Sequence, residues 1–177
     1  MRTIPFNKST RPSTHGPLTV SLANPASFVD AGQCPVYLTG SHTWTNLQDH
    51  VGPMRMERFD YPRYLAWMAS HKQNFMRGWL WEHTSFDEYH RGRVQIDPLP
   101  FLRTGPGLAL DGGGKYDLTA FNPVFFERIR QRVSQAAEFG IYVSIMLFNR
   151  WSTDSRSVQG ASPWKGHPFN RENNVQG

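Results

Sequence analysis

A single cysteine, Cys34, stands in a chain of 177 residues, so no intramolecular disulfide and no cysteine-based zinc site can form within it. Long apolar runs are missing too. No stretch approaches the roughly 18 apolar residues of a membrane helix. The first residues, MRTIPFNKSTRPSTHGPL, hold no apolar segment that would serve a secretory signal. The expectation is a chain without membrane association, cytoplasmic unless the true N-terminus differs. No Gly-x-Gly-x-x-Gly follows a strand pattern, and 111-DGGGK-115 sits inside a long loop, which argues against a nucleotide site. There is no internal repeat and no low-complexity tract.

Aromatic residues make up 14% of the chain, which excludes disorder by composition, and the length suits one sizeable core. The formal charge of +5 raises the question of nucleic acid. The densest basic set is Arg128, Arg130 and Arg132, which lie within one expected helix. A solvated helix face accounts for them better than a phosphate-binding patch, and no nucleic-acid partner is expected.

Residues 1–17, rich in Pro, Ser and Thr, read as a flexible arm. The segment 18-LTVSLANPASFVDAGQCPVYLTG-40 reads as a small β-hairpin leading into a first strand, Val36 to Gly40. Asp60 is placed to cap a helix whose buried face carries Tyr61, Tyr64, Leu65 and Met68. The apolar segment Phe75 to Trp81 follows at once. A second helix is marked by Asn122 at the cap, Pro123 at the first helical position and Gly140 as the stop. Its apolar stripe runs through Phe125, Phe126, Ile129, Val133 and Ala137. Ile141 to Phe148 is then a nearly continuous apolar strand. Strands buried on both faces, alternating with helices, predict a parallel sheet. The strand-to-helix connections are long: about forty residues lie between Trp81 and Asn122, far beyond the usual handful. After Phe148 no further helix is expected. Long segments at the C-terminal ends of parallel strands are where such proteins place their sites.

Those ends are unusually equipped. Three strands run into 41-SHTW-44, 79-WLWEH-83 and 148-FNRW-151, where Asn, Asp or Gly would ordinarily turn the chain. Of six tryptophans, Trp44, Trp79, Trp81, Trp151 and Trp164 lie at strand ends or in the loops after them, and only Trp67 sits in a helix. Flat indoles with polar neighbours suit a ligand having apolar faces and hydroxyls, and a sugar ring is the commonest such ligand. Along the second strand Phe75, Arg77, Trp79 and Trp81 share one side, with Met76, Gly78 and Leu80 on the other. Arg77 on an inward face would need a carboxylate partner. Glu82, at the rim, is placed to bind a hydroxyl or to pair with Arg77. His42, His50, His83, His90 and His167 also fall in these loops. His83, Asp87 and His90 leave a metal-dependent hydrolase open as the less favoured alternative, since no His-Glu-x-x-His spacing occurs.

The runs VYLTGSHTWTNLQD, FDYPRYLAWMASHKQNFMRGWLWE, PLPFLRTGPGLALDGGGKYDLTAFNP and IYVSIMLFNRW…WKGHPFNRENNVQG together resemble the N-terminal part of a cellulase-like family, the (β/α)₈-barrel glycoside hydrolases related to apiosidase-like proteins. The resemblance spans residues 18–177. It implies an α/β fold, a partial TIM barrel of three parallel strands and two helices after the small hairpin. It further implies hydrolysis of polysaccharide or oligosaccharide glycosides without a cofactor. It makes His42, Trp44, Arg77, Trp81, Glu82, Trp151, His167, Asn173 and Asn174 one flank of the carbohydrate site, with Arg77 resembling the strand-two arginine that steadies the nucleophile. The reacting carboxylates of such barrels come from later strands, so no catalytic residue is assigned here. The expectation is therefore a fragment, inactive alone, whose open strand edges favour self-association. A non-catalytic carbohydrate- or collagen-binding module is the rival.

Overall fold

The computed structural model describes residues 13–52, 58–88, 92–153 and 162–177. Most of the expected arm and His90 lie outside them. In chain order the elements are β1 (Thr19–Val20), β2 (Phe28–Val29), β3 (Pro35–Val36), β4 (Asp49–Val51), α1 (Tyr61–Ser70), β5 (Phe75–Trp79), β6 (Ser85–Glu88) and β7 (Gly92–Asp97). They are followed by β8 (Phe101–Leu108), β9 (Gly114–Phe121), α2 (Pro123–Glu138), β10 (Tyr142–Met146), α3 (Arg150–Thr153) and two 3-10 turns, Pro163–Gly166 and Arg171–Asn173. Packing divides the chain into two units. One comprises Met1–His42, Tyr61–Arg77 and Arg132–Ser144, the other Thr43–Asp60, Gly78–Gln131 and Ile145–Gly177.

In the first unit β1, β2 and β3 form an antiparallel sheet, with Phe28 opposite both Val20 and Val36. Val36 therefore ends this small sheet instead of starting a strand Val36 to Gly40. Gly40 makes an isolated parallel bridge to Phe75. Around that bridge the Asn74 side chain replaces part of the ladder. Its Oδ1 accepts from Thr39 N at 2.9 Å and its Nδ2 donates to the Tyr37 carbonyl at 3.0 Å. The approach is so close that a Cβ on Gly40 would collide with the Phe75 carbonyl, so only glycine fits. Helix α1 buries Tyr61, Leu65 and Met68, the i, i+4, i+7 stripe that its spacing predicts, and leaves Trp67 half exposed. Along β5 Met76 and Gly78 are buried while Arg77 is exposed, so the face expected to turn inward is open at Arg77. Tyr61 donates its hydroxyl to the Arg132 carbonyl at 2.9 Å, and the Arg132 guanidinium lies 5.1 Å from the Tyr61 ring centre. Arg132 is thus buried, not on a solvated face as expected. Helix α2 ends at Gly140 with φ of 71°, a conformation glycine adopts without strain.

In the second unit the supposed long loop is mostly sheet. β7 pairs antiparallel with both β4 and β6, and β8 pairs antiparallel with β9 through a bulged register. The signal was present in 92-GRVQID-97, where Val94 and Ile96 are buried and Arg93, Gln95 and Asp97 are exposed, the period-two pattern of a half-covered strand. Trp81, Phe86, Val94 and Ile96 form one apolar cluster; Leu47, Leu80 and Phe125, with Ile129 against them, form another. Asn122 caps α2 as the sequence indicates, its Oδ1 accepting from Val124 N at 3.1 Å while its Nδ2 reaches the Leu99 carbonyl. Arg128 pairs with Asp49 at 2.8 Å and Arg130 with Glu127 at 2.7 Å, so the basic residues of α2 are separately engaged.

β10 lies beside β5 in a two-stranded sheet. It was expected to be buried on both faces through Phe148. Instead the strand stops at Met146, and Leu147 and Phe148 are exposed. Among the described residues β5 is the neighbour that sheet gives it, so little covers its other side. One further short helix, α3, follows, contrary to expectation. No helix of the described residues is long and apolar enough to cross a membrane.

Candidate functional site

Beyond Trp79 the chain leaves regular pairing, and a buried glutamine stands in for a neighbouring strand. Gln48 accepts from Trp81 N at 2.7 Å and donates to the Trp81 carbonyl at 2.9 Å and to the Pro98 carbonyl at 2.7 Å. This clamp fixes the peptide directly before Glu82. Trp81 itself is buried, and its Nε1 donates to the Trp44 carbonyl at 2.9 Å. Around it stand the rings of Trp44 at 6.4 Å, Trp79 at 5.4 Å, Phe86 at 6.0 Å and Trp151 at 5.9 Å, in stacked and edge-on arrangements that favour aromatic pairs. Trp44 and Trp151 keep 48% and 38% of their surface open, so they, not Trp81, offer indole faces to a ligand.

Next to this cluster lies a pocket of about 280 Å³ lined by Glu82, Phe148, Asn149, Arg150, Thr153, His167 and Phe169. Burial pushes the Glu82 carboxyl up to about 7, against the opposing pull of backbone N–H groups of Glu82 and Asn149 and of the Ser152 hydroxyl. That direction is the mark of desolvation; an arginine partner would pull the other way. His167 Nε2 approaches Glu82 Oε2 at 3.9 Å, within ion-pair range. The charges do not form together, because burial also lowers His167 to about 4. Both groups are uncharged between those values. The tautomer follows from a neighbour: His167 Nδ1 accepts from Phe169 N at 3.2 Å, so the proton of the neutral ring is on Nε2, facing Glu82.

Several buried atoms here have no hydrogen-bond partner among the described residues: His167 Nε2, Asn149 Nδ2 and both ring nitrogens of His83. Each such group carries a desolvation cost of about 1–3 kcal/mol unless something else satisfies it. His83 is held among aromatic rings, 5.4 Å from Trp81 and 5.7 Å from Trp151, and burial drives it down to about 3, so it is neutral.

The structure brings Trp44, Trp81, Glu82, Trp151 and His167 into one unit. His42 and Arg77 belong to the other, and both are exposed. Asn173 and Asn174 are buried and already fully used by the backbone. Asn173 accepts from Leu110 N at 2.8 Å and donates to the Lys165 and His167 carbonyls. Asn174 Nδ2 donates to the Pro168 and Asn170 carbonyls, and its Oδ1 accepts from Gln176 and Gly177. Their amides build the loop that presents His167. Asn149 was not singled out from the sequence. Its signal was that of a helix cap before 150-RWST, and its Oδ1 does accept from Trp151 N at 3.2 Å. Among the described residues no group of three or more His, Cys, Asp or Glu is arranged to hold a metal ion.

No family model matches the chain. No curated protein matches it either. A solved structure does match, that of a putative glycoside hydrolase from Bacteroides vulgatus, with a TM-score of 0.54 and 21% identity, covering 81% of this chain and 27% of that one. The chain thus spans about a quarter of that protein's length. At this identity the likeness is one of fold alone.

Proposed function

We propose that this chain is part of a (β/α)₈-barrel glycoside hydrolase and supplies one flank of its sugar-binding cleft. The observation that carries the reading is the meeting of two half-open indoles, Trp44 and Trp151, with a polar pocket lined by Glu82, Asn149 and His167. Stacking faces beside hydrogen-bonding groups are what a sugar ring requires. The barrel is supported by the parallel bridge from Gly40 to Phe75, by the neighbouring of β5 and β10, and by the fold likeness. In this reading Glu82 binds and orients, and the reacting carboxylate pair comes from later strands.

Affinity electrophoresis of the 177-residue chain in gels containing neutral polysaccharides tests the reading. Retardation is expected in at least one glucan, xylan or mannan gel. Trp44→Ala and Trp151→Ala should each weaken it about tenfold, the scale of a lost aromatic anchor. Free mobility in every gel would overturn the proposal. The chain by itself should release no reducing sugar. Sustained cleavage abolished by Glu82→Gln would move the reacting group to Glu82.

A further inference from the structure

We infer that the pocket lined by Glu82, Asn149 and His167 takes the acyl group of an acylated sugar, an acetyl ester or acetamide whose carbonyl oxygen would accept from the unsatisfied donors of Asn149 and His167. The inference rests on the carbohydrate reading above and names the ligand group at that site. Its first ground is the character of the unsatisfied atoms. Asn149 Nδ2 is a donor, and so is His167 Nε2, because Nδ1 already accepts from Phe169 N. Asn149 is 5% exposed and His167 1% exposed, so water relieves neither cheaply. Paired donors call for an acceptor, and an acyl carbonyl is an acceptor only, whereas a sugar hydroxyl would bring a further proton to place.

The second ground is the rest of the lining. Phe148 and Phe169 border the same pocket with exposed rings, which suit the acyl methyl. A hydroxyl would leave those rings facing water.

The third ground is charge. Among the described residues the titratable or charged groups at the pocket are Glu82, His167 and Arg150, with His83 next along the chain from Glu82. Burial holds Glu82 and His167 uncharged in the same pH range, so a neutral ligand brings no unpaired charge into the site. A uronate would bring a charge that neither Glu82 nor His167 offsets in that range, leaving the exposed Arg150 to pair with it.

The test compares matched neutral oligosaccharides by calorimetry at pH 6. N-acetylglucosamine tetramer is set against cellotetraose, and acetylated xylotetraose against its deacetylated form, with an oligogalacturonide as the anionic control. The acylated member of at least one pair should bind about tenfold tighter. Asn149→Asp keeps the acceptor that caps α3 while removing the donor, and should erase the preference; Phe169→Ala should reduce it severalfold. Trp44→Ala should weaken both members alike. Melting curves at the same pH establish that each variant folds; should Asn149→Asp not fold, Phe169→Ala and the wild-type preference decide. Equal binding of acylated and plain sugars, with Trp44 still required, would overturn this inference and leave the carbohydrate reading standing. Tighter binding of the oligogalacturonide would overturn it in favour of an anion site. Binding of no sugar at all would end both.

Discussion

In the unit that contains α1, the buried side chains include Tyr61, Leu65, Met68, Met76 and Ile141, and the buried polar or charged residues there are Asp30 and Arg132. In the other unit Asn46, Gln48, Asp49, His50, Glu82 and His83 are buried, and Asn149, Ser152, His167, Asn170, Asn173 and Asn174 join them. The first is held by apolar area and helical periodicity. The second takes many polar groups out of water and holds its asparagines and Gln48 with amide-to-backbone bonds. Burial of that kind adds little net stability for each bond formed, but a missing partner is costly, so it fixes one geometry. Of the groups left over, those on Asn149 and His167 stand at the pocket, whereas the ring nitrogens of His83 lie among aromatic rings. Polar groups that build loops and polar groups left without a partner are thus separable residue by residue.

Leu65→Ala should break the first unit most severely. Leu65 is fully buried, and its truncation is expected to cost about 2–5 kcal/mol in urea denaturation. A change below about 1 kcal/mol would mean that α1 is not held by its apolar face. Asn173→Ala is the matching blow to the second unit. It strands Leu110 N and the Lys165 and His167 carbonyls, for about 2–3 kcal/mol. It should also loosen any ligand that His167 touches, which Leu65→Ala should not do while the protein stays folded.

A pH series sharpens the comparison further. Glu82 is raised from 4.5 to about 7, so its favourable contribution is present at low pH and is lost as pH rises through 7. His83 and His167 are lowered from 6.5, to about 3 and about 4, so their contribution is present above 6.5 and is lost as pH falls below it. Between pH 6 and 8 the two tendencies nearly offset one another, and the wild-type profile should be flat. Glu82→Gln removes one of them, so its stability relative to wild type should rise by about 1 kcal/mol over that interval. A difference that does not move with pH would show that Glu82 ionises as an exposed acid does. The smallest effect belongs to Trp67→Ala on the open side of α1. Trp67 touches Tyr64 and His71 and is 45% exposed, and the substitution should stay within about 0.5 kcal/mol by thermal melting.

Much of the framework was legible because its signals are local. The Asn122 cap, Pro123 and the Gly140 stop delimited α2, and the apolar spacing of α1 marked its buried face, since φ preferences and a 3.6-residue period depend on neighbours in sequence. The strand-end residues Trp44, Trp81, Glu82 and Trp151 stood out for their unusual types. The sheet within residues 85–121 is hidden by the length of the segment between Trp81 and Asn122, although 92-GRVQID-97 alternates plainly and 111-DGGG-114 marks a turn. Asn173 and Asn174 carried a reading as sugar ligands that chemistry allowed, and both amides turned out to be committed to backbone.

By itself, then, the sequence determined the helices α1 and α2, the covered face of α1, and that aromatic and acidic side chains gather at strand ends. Only the tertiary structure decided that β4 pairs with β7, with Asp49 opposite Asp97, and that Gln48 braces Trp81 in place of a strand. It alone decided which amides close loops and which remain for the pocket. The physical reason is range. A cap or an apolar stripe is settled within a few residues of backbone, whereas the partner of a buried amide, and the pKa of Glu82 or His167, depend on atoms brought from distant parts of the chain.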